Sequence, residues 1–198
     1  MIADILQTIM NSNRFRDQLE LMKMNQKSYE NLNINSISSK NADKYILYEL
    51  DQNIIKQKKY SKLKILNSRN GVAIKDVDHL CDTLEELHCG EDIDQESISR
   101  LSKLRILNCD GNKKISNVNH LKNTLEELHC RYDSNIDHKG MSELNKLRIL
   151  KCEGNVLIKD VNHLSKTLEI LKCQFGSAIN QKGISELREL KVLDCCGN

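Results

Sequence analysis

The feature that most constrains this chain is a Leu-x-x-Leu-x-Cys phrase repeated along its C-terminal two thirds. It reads Leu84-Glu85-Glu86-Leu87-His88-Cys89 and Leu104-Arg105-Ile106-Leu107-Asn108-Cys109, and it returns at Leu125, Leu147, Leu168 and Leu190. A weaker copy, Leu63 to Ser68, comes first. The leading leucines, Leu63, Leu84, Leu104, Leu125, Leu147, Leu168 and Leu190, stand 20 to 22 residues apart. A fixed period of this length means stacked similar units, each too small to bury its own apolar face. Within a phrase, Leu107 and Cys109 point one way and Ile106, Asn108 and Asp110 the other, the period of two of a short strand. An apolar residue follows (Ile115, Ile136, Ile158, Ile179), then pairs at helical spacing such as Val118 and Leu121 or Met141 and Leu144. Strand, turn and short helical return make one coil.

Two kinds of coil alternate. One carries Leu-(Lys/Arg)-Ile-Leu-Asn-Cys-x-Gly-Asn and then Val-Asn-His-Leu, as at Leu104 with Val118 to Leu121. The other carries Leu-Glu-Glu-Leu-His-Cys and ends in Ile98 to Leu101 or Gly140 to Leu144. The duplicated unit is therefore about 42 residues, or two coils. Residues recurring in every second coil are copied by that duplication, so recurrence alone does not mark a site.

This pattern resembles the leucine-rich repeat family, Leu-x-x-Leu-x-Leu-x-x-Asn, with Cys in place of the third leucine. Asn112, Asn155 and Asn198 stand at the family's asparagine position, which implies hydrogen bonds to loop backbone inside each turn. Asp92, Asp133 and Gly176 replace it in the alternate coils, whose turns should be less regular. The resemblance covers about residues 60–198. It implies an α/β leucine-rich-repeat solenoid: parallel strands on a concave face, short helical or irregular returns on the convex face, and a small N-terminal helical region. Residues 63–198 supply about seven coils, the last, ending at Asn198, read as incomplete and uncapped.

Residues 41–62 read as a linker or atypical first coil, built on Tyr45, Ile46, Leu47 and Leu50. Residues 1–40 carry apolar positions at helical intervals, with Asp17 a candidate cap. The order of Ile5, Leu6, Ile9, Leu19 and Tyr29 is similar to an F-box, although the usual Leu-Pro opening is absent and Tyr29 stands where that family has tryptophan. That similarity implies docking of these residues on a Skp-type adaptor of a cullin ubiquitin ligase. The alternative is a helical cap on the open end of the solenoid.

Composition narrows the function. The net charge of +2 with mixed signs favours no polyanionic partner, and five tyrosines and two phenylalanines offer few platforms for stacking bases. No apolar run is long enough to cross a membrane, and the opening Met1 to Leu6 does not read as a secretory signal. Six of the eight cysteines occupy one position of the repeat, so they read as small core residues, reduced in a cytoplasmic protein.

Catalytic and metal sites are not expected. His88 and His129 lie two coils apart, about 9–10 Å at strand spacing, too far to share a zinc ion. His79, His120 and His163 recur in the same way and read as structural. No cofactor is implied. The expected function is non-enzymatic recognition of a protein on the concave face. Three outward rows are expected there: Ile65 to Val192, Asn67 to Asp194 and Arg69 to Cys196. Ile106, Glu127, His129, Ile149, Lys151, Ile170, Lys172 and Val192 are the candidate contact residues, with the aliphatic strip from Ile149 to Val192 foremost.

Overall fold

The computed structural model describes residues 36–37, 52–69 and 74–197. Among the described residues, eight short strands form one parallel sheet in chain order: β1 (Ser36–Ile37), β2 (Ile65–Asn67), β3 (Glu86–His88), β4 (Ile106–Asn108), β5 (Glu127–His129), β6 (Ile149–Lys151), β7 (Ile170–Lys172) and β8 (Val192–Asp194). Each leucine phrase contributes one strand. The pairing sets Leu66, Leu87, Leu107, Leu128, Leu150, Leu171 and Leu193 opposite one another in succession. The sheet also reaches further towards the N-terminus than the leucine phrases. β1 pairs with β2 and lies inside the stretch expected to be helical. The candidate adaptor residues Ile5, Leu6, Ile9, Leu19 and Tyr29 fall outside the described residues.

The strand alternation places the core as the sequence implies. Leu66, Leu87, Leu107, Leu128, Leu150 and Leu171 are fully buried, together with Cys89, Cys109, Cys130, Cys152 and Cys173. On β8, at the edge of the sheet, Leu193 and Cys195 are exposed. The returns are short. Single 3-10 turns lie at Lys58–Tyr60, Asp78–Leu80, Asn119–Leu121 and Asn162–Leu164. One-turn helices lie at Gln52–Ile55 (α1), Gln95–Ile98 (α2) and Gln181–Ile184 (α3). Asp94 and Asn180 cap α2 and α3 with their side chains. Parallel strands on one side and these returns on the other fit a leucine-rich-repeat architecture.

The Val-Asn-His-Leu phrase is the brace between coils. Val118 and Leu121 enter the core. Asn119 reaches forward, donating to Lys139 O and accepting from Glu143 N, both at 2.9 Å. His120 reaches back, its Nε2 2.9 Å from Ile98 O. The next unit repeats this with Asn162, against Lys182 O and Glu186 N, and with His163 against Met141 O. Burial holds the His120 and His163 pKa values below the usual range, so each ring is a neutral donor to a carbonyl. Glycine is required where the returns touch: a Cβ on Gly140 would collide with Ser116 O, and Val118 N donates to Gly140 O at 2.7 Å.

Candidate functional site

Two of the three expected outward rows form in register on the open face of the sheet, with Asn108 of the second row buried. The first is Ile65, Glu86, Ile106, Glu127, Ile149, Ile170, Val192; the second is Asn67, His88, Asn108, His129, Lys151, Lys172, Asp194. Ile106, Ile149 and Ile170 are half-buried, while Val192 is 45 % exposed. Ile65, Ile106 and Ile149 line a shallow groove of about 200 Å³, with Glu86 and Glu127 between them and Arg105 and Arg148 on its rim.

A ladder of alternating charge borders this groove, built from the residue after each leading leucine. Lys64 meets Glu85 at 2.7 Å, Arg105 holds Glu126 at 3.1 and 2.8 Å, and Glu169 takes Arg148 at 2.7 Å and Lys191 at 2.8 Å. Bonds from Arg148 and Lys191 pull the Glu169 carboxyl down to about 2. Exposed pairs of this kind add little stability individually. Their regular spacing favours the observed register, because a slip by one coil would set like charges together.

The polar members of the candidate set are bound to one another. Glu127 Oε1 lies 2.6 Å from His129 Nε2 and accepts from Lys151 Nζ at 2.8 Å. His129 Nδ1 lies 3.1 Å from Asn108 Nδ2, and Asn108 Oδ1 accepts from Asp110 N, which orients the amide. Asn108 Nδ2 thus faces Nδ1, while Nε2 lies between Glu127 Oε1 and Lys151 Nζ, the latter at 3.0 Å. Burial pushes the His129 pKa down and Glu127 pushes it up; burial prevails. Glu86 and His88 repeat the pair at 2.6 Å in β3. The Lys172 side chain makes no hydrogen bond or ion pair among the described residues, although its backbone carbonyl accepts from Cys152 N at 2.8 Å.

The third expected row differs from its reading as an open row: Asp110 and Glu153 are buried. Asp110 accepts from Arg131 Nε at 3.0 Å, Nη2 at 2.7 Å and the Arg131 backbone N at 3.0 Å, with Arg69 Nη1 at 3.4 Å. Burial works to raise its pKa, but the Arg131 bonds outweigh it and hold the carboxyl below the usual range. Glu153, one unit further, has a buried Oε2 with no hydrogen-bond partner.

Sequence reasoning also missed two exposed aromatics. Tyr132 and Phe175 occupy the repeat position of Gly111 and Gly154, and both keep a left-handed backbone, φ 57° and 60°. Their exposures are 54 % and 69 %. The signal was present: an aromatic at a glycine position of an otherwise regular repeat.

The repeat-position cysteines from Cys89 to Cys173 are buried in the core. Cys89 and Cys109 donate to Asn108 O and His129 O on the following strands, at 3.2 and 3.3 Å. Burial pushes Cys109 up to about 12 and Cys173 up to about 11, and raises Cys89, Cys130 and Cys152 as well. Thiols in that state are poor nucleophiles at neutral pH. All eight cysteines are free. Among the described residues no His, Cys, Asp or Glu cluster of three is placed to hold a metal ion, and no helix is long and apolar enough to cross a membrane.

These features define the class by architecture: a repeat protein with a parallel sheet whose open face is free for contact. No family model matches the chain, and no curated protein matches it. A solved structure similar to it is the functional domain of InlJ from Listeria monocytogenes, described as including a cysteine ladder. It shares 18 % identity over 69 % of this chain with a TM-score of 0.49, and the match spans 35 % of that chain.

Proposed function

We propose that this protein is a non-enzymatic recognition module whose partner is a protein bound across the open face. The observation that carries this reading is the in-register aliphatic row Ile149, Ile170, Val192 beside the groove lined by Ile106 and Ile149. Apolar side chains held on three adjacent strands, bordered by charge, are what a protein interface uses at its centre. The polar neighbours Glu127, His129 and Lys151 bond one another, so they present a fixed pattern rather than free charges. Changing Ile149 and Ile170 together to Ser should leave the melting temperature near wild type and reduce partner recovery in a pull-down at least tenfold. Undiminished recovery of the same partners would remove the open face as the site.

The finer proposal, that the chain bridges a Skp-type adaptor to a ubiquitin-ligase substrate in the cytoplasm, rests on the order of Ile5, Leu6, Ile9, Leu19 and Tyr29 alone. Co-precipitation with a Skp adaptor tests it, comparing the full chain with one lacking residues 1–40. No binding by the full chain would end it, and the recognition reading would stand.

A further inference from the structure

The third row of the open face begins as an alternation of charge and then breaks off. Arg69, Asp110 and Arg131 form a closed set, with Asp110 accepting from Arg131 and ion-paired to Arg69. The next member is Glu153, only 6 % exposed. Its neighbour on one side, Arg131, is committed to Asp110. Its neighbour on the other, where the alternation calls for a cation, is Gln174, which donates to Asp194. Lys172 forms no ion pair with it. Glu153 therefore keeps a buried carboxylate oxygen without a partner, a costly arrangement that native proteins rarely leave unmet.

The residue after Glu153 is Gly154, and the two left-handed aromatics flank it. Tyr132 Cδ1 lies 3.5 Å, and the Phe175 carbonyl 3.7 Å, from the point where Gly154 would carry a Cβ. Tyr132 already stacks beside the Arg131 guanidinium, 5.6 Å from its ring centroid, whereas Phe175 is largely exposed. The strained turns of Tyr132 and Phe175 and the unpaired buried carboxyl oxygen of Glu153 thus lie at the C-terminal edge of β5, β7 and β6. Strain concentrated in this way commonly accompanies a binding site.

We propose that Glu153 anchors an arginine or lysine side chain of a partner protein segment lying along this edge, with Tyr132 and Phe175 flanking the inserted chain. The incoming cation completes the interrupted charge alternation, and its aliphatic stem covers apolar ring surface. The inference rests on the reading of the open face as a protein-binding surface and names the chemistry its partner must carry.

The test is selection of a displayed library of random linear 12-residue peptides on the full chain, followed by affinity measurement on the recovered sequences. The expected result is enrichment of Arg or Lys at one position, and at least tenfold weaker binding to Glu153→Gln. A second arm does not depend on how that variant folds: replacing the peptide's arginine by citrulline, or its lysine by norleucine, should weaken binding to the wild-type chain by a similar factor. Phe175→Ser should weaken it several-fold. Recovery of no peptide, of peptides without a basic position, or of peptides indifferent to the neutral replacement would each overturn the proposal. Peptides lost on Ile149→Ser with Ile170→Ser but indifferent to Glu153→Gln would overturn it while leaving the open-face reading intact.

Discussion

The coil that starts at Leu147 turns on Gly154 and Asn155; the coil before it turns on Tyr132 and Asp133. Asn155 is fully buried, and its amide donates to Cys130 O, Ser134 O and Ile136 O while its oxygen accepts from Leu157 N and Ile158 N. The three carbonyls belong to the preceding coil, and the two amides belong to its own. Asn112 does the same for Gly90 O and Ile93 O, and for Lys114 N and Ile115 N. The asparagine backbone carbonyls serve the coil that follows: Asn112 O accepts from Asn135 N, and Asn155 O from Ala178 N. Each asparagine thus satisfies buried backbone in two coils with its side chain and a third with its carbonyl. That is why every second coil can do without one. The coils that start at Leu125 and Leu168, freed from this duty, carry Ser134 or Ser177 at the inner turn and an exposed aromatic at the glycine position, whereas the coil at Leu84 has Glu91 there. Half of each duplicated unit holds the stack, and the other half is left to vary.

If that division is right, removing a ladder asparagine should be far worse than removing the serine that faces it. Asn155→Ala would strand several buried carbonyls and amides at about 1–3 kcal/mol each, softened by any water that enters, for a loss of about 4 kcal/mol or more. Ser134→Ala removes one hydroxyl, whose contact is Cys109 Sγ at 4.0 Å, and should cost about 1 kcal/mol or less. Urea denaturation of the two variants measures the ratio. Equal losses would break the division of labour.

The two acids of the third row make a second contrast, one paired and one not. Asp110→Asn should cost about 1–2 kcal/mol at pH 7, because it leaves the half-buried Arg131 against a neutral group. The folded-state pKa of Asp110 lies below its unfolded value of about 3.9, so its contribution is complete above that pH and is lost as pH falls through the folded value. The stability gap between wild type and Asp110→Asn should therefore be flat from pH 5 to 7 and narrow below about pH 4. Glu153→Gln, lacking a partner to lose, should show no comparable cost. A gap for Asp110→Asn that widens on acidification would contradict the assigned ion pair.

The stack was legible in the sequence because its signals are local and repeated: inward Leu and Cys at a period of two, Asn after Gly, Val and Leu at helical spacing. The aliphatic row from Ile149 to Val192 was legible for the same reason, since register follows from equal coil lengths. What escaped was everything that depends on which neighbour a side chain chooses. Asp110 and Glu153 stand at the same repeat position as Arg131 and Gln174, and nothing in the pattern says that the acids sink while Arg131 turns onto one of them. The left-handed backbone of Tyr132 and Phe175 was hidden as well, because the repeating leucines mark the strand and carry no information on the φ of the turn.

The smallest expected effect is the sharpest probe of that last point. At the turn position, glycine is free of the left-handed penalty, while a bulky residue bears about 1–2 kcal/mol of it. Gly154→Ala imports the penalty and should destabilise by about 1 kcal/mol, since φ is 69° there. Phe175→Gly removes it. The unfolded chain gains entropy from the new glycine, offsetting about 0.5–1 kcal/mol, and little packing is lost because the ring is mostly exposed. The net expectation is a gain of about 0.5 kcal/mol, read as a rise of one or two degrees in melting temperature. A more stable Phe175→Gly that binds its selected peptides less well would mean the aromatic is kept for contact at the expense of the fold. A less stable one would mean the ring packs against the stack in solution, and the two kinds of coil would then differ in sequence but not in duty.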